Sequence, residues 1–238
     1  MPTKSPTAAP TKFEFTNDSL KIAADLWVSN KSQALAEYGD IKFWSTGRVT
    51  SMYKLFVNRF TFNEDLSLWD TSSVTSMYQM FYHAELFNAD LSKWQTSKVT
   101  NMDGTFKYSL AFNGDVSKWD TGKVTQMYHM FANAHVFNKD ISAWDVSNVL
   151  GFAFMFCWQK LYNNDVSKWN TANATTMKGM FRGAASFNVN LSVWNVETVA
   201  DMDHMFDGAL AFKQNLCWIT TGKSKDKIFR DCPGKFCD

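Results

Sequence analysis

Charge of one sign is the first thing this sequence lacks. Twenty-four Lys and Arg stand against 23 Asp and Glu in 238 residues, a net charge of +1. No broad field is available to hold a phosphate backbone, so nucleic acid is not an expected partner. No run of 18 or more apolar residues occurs, and residues 1–12 read MPTKSPTAAPTK, polar throughout. Membrane insertion is therefore not expected, and this opening is a linker composition, not a signal peptide. Histidine is scarce as well. His83, His129, His135 and His204 fall in no metal-ligand spacing and beside no nucleophile motif, and are expected as solvated surface residues. Hence no enzyme activity, metal or cofactor is expected. Proline (4) and glycine (11) are few, whereas 10 Trp, 21 Phe, 7 Tyr and 12 Met sit in a chain that is 45% hydrophobic, enough for a packed core.

The aromatics are periodic. Trp44, Trp69, Trp94, Trp119, Trp144, Trp169 and Trp194 follow one another at 25 residues, and Trp218 comes 24 after the last. Phe56 to Phe206 keep the same interval, as do Leu66 to Leu216. A fixed period of this length marks a repeat protein, whose units stack because one unit cannot bury its own apolar face. In the copy at 69–93, Val74, Met77, Phe81 and Ala84 step by 3, 4 and 3. That spacing predicts a short helix over 76–83 with Thr75 as N-cap, and Asp90 to Lys93 as a short strand pairing in parallel with its equivalents.

Trp69, Trp94, Trp119, Trp144, Trp169 and Trp194 are expected as a stacked core, and Asn88, Asn113, Asn138 and Asn163 as an internal amide ladder. Asp65, Asp90, Asp115, Asp140 and Asp165 recur once per unit. Acceptance of local amides by each carboxylate is favoured over calcium between turns, since one Asp per layer supplies too few ligands. The Ser column from Ser67 to Ser192 is read as turn or strand scaffolding. Two Thr columns, starting at Thr46 and Thr50, raise a minor ice- or crystal-binding alternative.

The motif FNxDLSxWDTSxVTxMxxMF resembles the BspA-like repeats, distant relatives of leucine-rich repeats found in surface proteins, and the resemblance covers residues 44–218. It implies an α/β, leucine-rich-repeat-like solenoid of about seven 25-residue strand-turn-short-helix units, used extracellularly for attachment or recognition. The flanks fit the same pattern. FEFTNDSLKIAADLWVSN looks like a helical N-terminal cap, and NLCW with DCPGKFC looks like a Cys-containing end. The expected organisation is 1–12 flexible linker, 13–43 helical cap, 44–218 solenoid and 219–238 C-terminal cap. Leu20, Ile22, Leu26 and Trp27 are expected to cover the first layer. A closing layer needs tying down, so Cys217 is paired with Cys232, with Cys237 as the alternative partner, which fits an oxidising compartment. Sequons at Asn17, Asn30, Asn173 and Asn190 permit glycosylation there.

Only the fifth unit is strongly irregular, with Val146, Leu150 and Phe152 in place of Thr, Thr and Met. Two residues after each repeated Phe stands a varied column, Asn58, His83, Tyr108, Asn133, Trp158, Gly183 and Gly208. Tyr82, Tyr108, Phe154 and Trp158 are therefore the candidate binding patch, since large aromatics on an outer face serve as anchors. The expected function is a non-catalytic extracellular or cell-surface binding and adhesion module, part of a longer secreted precursor, with a protein or glycan ligand. The alternative is a structural, self-associating surface or matrix component.

Overall fold

The computed structural model describes residues 13–237, so the linker expected over 1–12 lies outside it. Helix α1 (Asn17–Ser29) and helix α2 (Lys31–Tyr38) come first. Thr16 starts α1 with a reciprocal capping box to Ser19, and the Asn30 side chain accepts the Gln33 N–H at the start of α2. Leu20, Ala23, Ala24 and Trp27 share one face of α1 and are buried, Trp27 lying edge-on to Trp44 at 5.7 Å. Ile22 is 63% exposed. Two positions on a helix turn roughly 200° from Leu20, which takes Ile22 out of the covering face, while Leu26 is partly buried.

From Trp44 onward successive 25-residue units lie directly on one another. Parallel bridges join Ser51 to Ser76, Asn101, Gln126, Gly151, Thr176, Asp201 and Ser224 in order. Each unit is built of turns, with no helix over 76–83 and no strand over 90–93. The reason lies in where the amides go. Met52, Lys54, Phe56 and Asn58 donate their N–H groups to the carbonyls of Ser76, Tyr78, Met80 and Tyr82 in the next layer, at 2.8–2.9 Å. Leu55, Val57 and Arg59 instead close turns to Met52, Lys54 and Phe56. A helix would direct every amide along its own segment; here alternate amides point outward, and left-handed residues such as Lys54 (φ 53°) and Asn58 (φ 58°) interrupt the helical path. Thr75 is accordingly no helix cap: its N–H and hydroxyl both donate to the Thr50 carbonyl.

Inside, two Phe columns run side by side. Within a layer Phe81 and Phe87 are 3.8 Å apart, and between layers Phe81 stacks on Phe106 at 5.6 Å. The indoles do more than fill space, because from Trp69 on each N–H of the Trp column donates back one layer: Trp94 to the Leu66 carbonyl, Trp119 to Leu91 and Trp144 to Val116. Buried Thr46, Thr71, Thr96, Thr121 and Thr171 donate forward to carbonyls 24 residues on, such as Asp70 and Gln95. At 0–2% exposure this column offers no array to ice or crystal. The asparagine ladder does exist, Asn63 accepting from Asn88 N–H and Asn88 from Asn113 N–H, but it runs along the outer surface and is not internal. Each Asp of the acidic column accepts the N–H of the serine two residues on at 2.9 Å, a local turn that occupies 90–92 where a strand was expected. Those bonds hold the Asp90, Asp115 and Asp140 carboxyls below their ordinary range.

Tyr162 takes a Phe position in the second column, fully buried at 4.4 Å from Phe156 and stacked on Phe137, and its hydroxyl has no hydrogen-bond partner among the described residues. An unpartnered buried hydroxyl costs about 1–3 kcal/mol. Tyr162→Phe is therefore expected to raise the melting temperature; an unchanged or lower value in a thermal melt counts against the orphaned hydroxyl.

At the far end β1 (Asn215–Leu216) pairs in parallel with β2 (Lys235–Phe236), and Phe229 continues the stack on Phe206 at 5.7 Å. Cys217 is bonded to Cys237, while Cys232 and Cys157 are thiols. The expected Cys217–Cys232 pairing is thus replaced by the alternative. The parallel pairing of 215–216 with 235–236 brings the residues that follow each strand, 217 and 237, side by side.

Candidate functional site

The amides that join layers produce a flat face whose side chains vary from layer to layer. Its outer columns include Tyr53, Tyr78, Asp103 and Tyr128, followed by Lys54, Gln79, Gly104, His129 and Phe154. The column singled out in the sequence as varied is the left-handed one. Asn58, His83, Tyr108, Asn133, Trp158, Gly183 and Gly208 all have φ between 57° and 71°. Gly and Asn suit that backbone, whereas a bulky aromatic there is strained by on the order of 1–3 kcal/mol. Tyr108, Phe154 and Trp158 carry that strain, with φ of 61°, 58° and 57°.

Trp158 is 50% exposed and lies flat on Gly183 of the next layer, where an added Cβ would come within 2.3 Å of its ring. Phe154 lies in the same way over Gly179 and stacks on His129 at 4.9 Å. The fourth candidate, Tyr82, meets Tyr108 edge-on at 6.0 Å, and the Lys107 ammonium sits over both rings at 5.7 Å. Of the four predicted residues, Tyr82 and Tyr108 thus meet across layers, whereas Phe154 and Trp158, four residues apart in one layer, each pack on a glycine of the next layer.

A cavity on the same face, reaching from Lys107 to His129, was missed. It measures about 260 Å³ and is lined by Tyr78, Gln79, Asp103, Gly104, Lys107, Tyr128 and His129. Asp103 Oδ1 accepts the Tyr128 N–H at 2.7 Å, yet burial pushes its carboxyl up to about 6. Burial, with the charge of Lys107 added, pushes His129 down to about 4, and burial lowers Lys107. His129 is half-buried, not the solvated residue expected. The available signal was an Asp and a Gly at 103 and 104 interrupting columns otherwise rich in tyrosine and longer side chains. Further along the face Asp207 is 3% exposed and bonded by Arg230 Nη2 at 2.6 Å, Arg182 Nε at 3.3 Å and His204 Nδ1 at 3.0 Å. Burial raises its carboxyl, but these partners hold it low. Cys157 is buried, which pushes its thiol up to about 11 and disfavours the thiolate. Among the described residues no group of three or more His, Cys, Asp or Glu is placed to hold a metal ion.

A protein-family profile described as "Mycoplasma protein of unknown function, DUF285" matches residues 27–144 and again 103–219. The chain belongs to the DUF285 family. No curated protein and no solved structure matches it. The two DUF285 matches overlap over 103–144, as a repeat of constant period allows, and the cavity residues from Asp103 to His129 fall within both. No helix among the described residues is long and apolar enough to cross a membrane.

In this DUF285 protein the cavity couples stability to pH with two opposing slopes. The Asp103 carboxyl, at about 6 against an ordinary 3.8, holds its proton more tightly when folded, so its contribution falls as pH rises through that window. The His129 imidazole, at about 4 against 6.5, resists its proton when folded, so its contribution falls as pH drops through nearly the same window. Asp103→Asn should therefore melt lower on acidification from pH 6.5 to about 4.5, and His129→Gln should melt higher, with the parent protein between them. Melting curves at four or five pH values check this. Three parallel profiles would remove the coupling.

Proposed function

We propose that the chain is a BspA-like extracellular or cell-surface recognition module, a leucine-rich-repeat-like solenoid that binds its ligand through the flat, varied face and performs no chemistry. One observation carries the reading: three bulky aromatics, Tyr108, Phe154 and Trp158, are held in left-handed backbone on that face, where other layers place Gly, Asn or His in the column of Tyr108 and Trp158 and Lys, Gln, Gly or His in that of Phe154. Strain of this kind persists where function retains it. The regular columns support the same reading from the other side. Trp, Thr, Asn and Asp of nearly every layer are engaged by backbone groups, so variation is confined to the face. The Cys217–Cys237 bond fits an oxidising compartment.

A structural, self-associating role is the second reading. It is favoured by the groove of about 550 Å³ at the C-terminal end, where Ile219 is 83% exposed beside Trp194 and Trp218. Light scattering over a hundredfold concentration range separates the two. A constant monomer mass supports recognition, and reversible growth in mass supports assembly. For recognition, Trp158→Ala should lose binding on an array of extracellular glycoproteins and polysaccharides while keeping its melting temperature within a few degrees. A large fall in melting temperature with binding per folded molecule unchanged would make Trp158 a packing residue only.

A further inference from the structure

We propose that the cavity between Tyr78 and Tyr128 is a subsite for one uncharged pyranose ring of a glycan. This deepens the recognition reading and rests on it.

The wall is the first argument. Tyr53 stacks on Tyr78 at 5.1 Å and 7°, with the Lys54 ammonium 5.7 Å from the Tyr78 ring, and the next position in that column is Asp103, so no second ring among the described residues stacks on Tyr78, which lines the cavity. The C–H face of a pyranose packs against such an aromatic ring, whose face is electron-rich. The floor is the second. Gly104 (φ 60°) has no side chain to fill the space, and the Gln79 side chain leans across it, 3.1 Å from where a Cβ would stand.

Polar chemistry then selects among ligands. Asp103 Oδ1 is occupied by the Tyr128 amide, while its second oxygen has no hydrogen-bond partner among the described residues and is able to accept from hydroxyls. The Lys107 ammonium forms no ion pair with a carboxylate among the described residues and supplies donors. One negative and one positive group line the same cavity, and His129 is neutral above about pH 4. A phosphate or sulfate would be repelled by Asp103, and an amine by Lys107. A polyol meets an acceptor and a donor at once and upsets neither. The volume, about 260 Å³, lies just under the usual range for small-molecule sites, which suits a single ring. No other layer combines Asp and Gly at these two positions between flanking tyrosines, so one sugar is expected per chain.

The test uses the full chain and a panel of methyl α- and β-glycosides of glucose, galactose, mannose and N-acetylglucosamine, read by calorimetry or saturation-transfer NMR. At least one is expected to bind 1:1 with Kd on the order of 1 mM, as a dozen or so heavy atoms allow. Gly104→Asn keeps a residue tolerant of positive φ but fills the floor, and Tyr78→Ala removes the wall; each should weaken binding at least tenfold. Asp103→Asn, which still accepts the Tyr128 amide, should do the same with a melting temperature at pH 7 no lower than the parent's, since it carries no buried charge there. Val193→Ser, far from the face, should leave affinity unchanged. The proposal is overturned if no glycoside binds up to about 20 mM, if Gly104→Asn binds as the parent does, or if methyl phosphate or methylammonium binds more tightly at the same place. If the glycosides fail while the parent still binds the array through Trp158, the sugar subsite falls and the recognition reading stands. Loss of both removes both.

Discussion

Trp119→Ala is expected to lower the unfolding free energy by about 3–5 kcal/mol and to split a single melting transition into two. Trp119 is 3% exposed, stacks on Trp94 at 6.3 Å and meets Phe106 at 5.9 Å. Truncation leaves a cavity that the flat rings above and below cannot close, because their own positions are set by the next layer. The indole N–H also donates to the Leu91 carbonyl at 3.2 Å. That carbonyl keeps a second partner, the Trp94 N–H at 3.1 Å, so Trp119→Phe should cost only about 1–2 kcal/mol. Since each unit touches only its neighbours, a weak layer in mid-stack uncouples the N-terminal units from the C-terminal ones. Calorimetry or a urea titration reads both effects. Equal losses for Ala and Phe would mean that the hydrogen bond, not the ring volume, carries the contribution.

Removing the disulfide is expected to have the next largest effect. Cys217 and Cys237 enclose a separation of 20 residues, for which the chain-entropy contribution is about 3 kcal/mol. The loss should concentrate at one end, because this bond holds β2 on β1 and keeps Phe229 over Phe206 and Phe212. Cys217→Ser should therefore bring early exchange of amides in 219–237 and a lower melting temperature. Cys232→Ser should leave the bridge intact, since Cys232 is a thiol. Unreduced peptide mapping gives the direct check. A peptide joining 217 to 232 would overturn the pairing, and Cys232 should instead take up alkylating reagent.

The candidate face was only partly legible in the sequence. Column comparison picked out Tyr82, Tyr108, Phe154 and Trp158 because variation between equivalent positions needs no geometry. The reason assigned to that variation was different, a helix outer surface instead of left-handed turns. Helical spacing at Val74, Met77, Phe81 and Ala84 reflects which residues face inward, and consecutive turns with a left-handed residue every fourth position reproduce that rhythm. The cavity was invisible because it arises from side chains of three layers, Tyr78, Asp103 and Tyr128, each ordinary within its own unit.

By itself the sequence determined the 25-residue interval, the Trp and Phe columns that repeat at it, and the near absence of net charge. These follow from composition and spacing, since a period constrains every unit to the same environment. Only the tertiary structure decided which amides turn inward and which join layers, that the Thr46 column is buried while the Asn88 column lies outside, and that Cys237 rather than Cys232 reaches Cys217. The physical reason is common to all three. Each depends on the direction in which a group points at the seam between layers, and that direction is set by the hydrogen bonds it makes to the layer next to it, which are not written in the spacing of one unit.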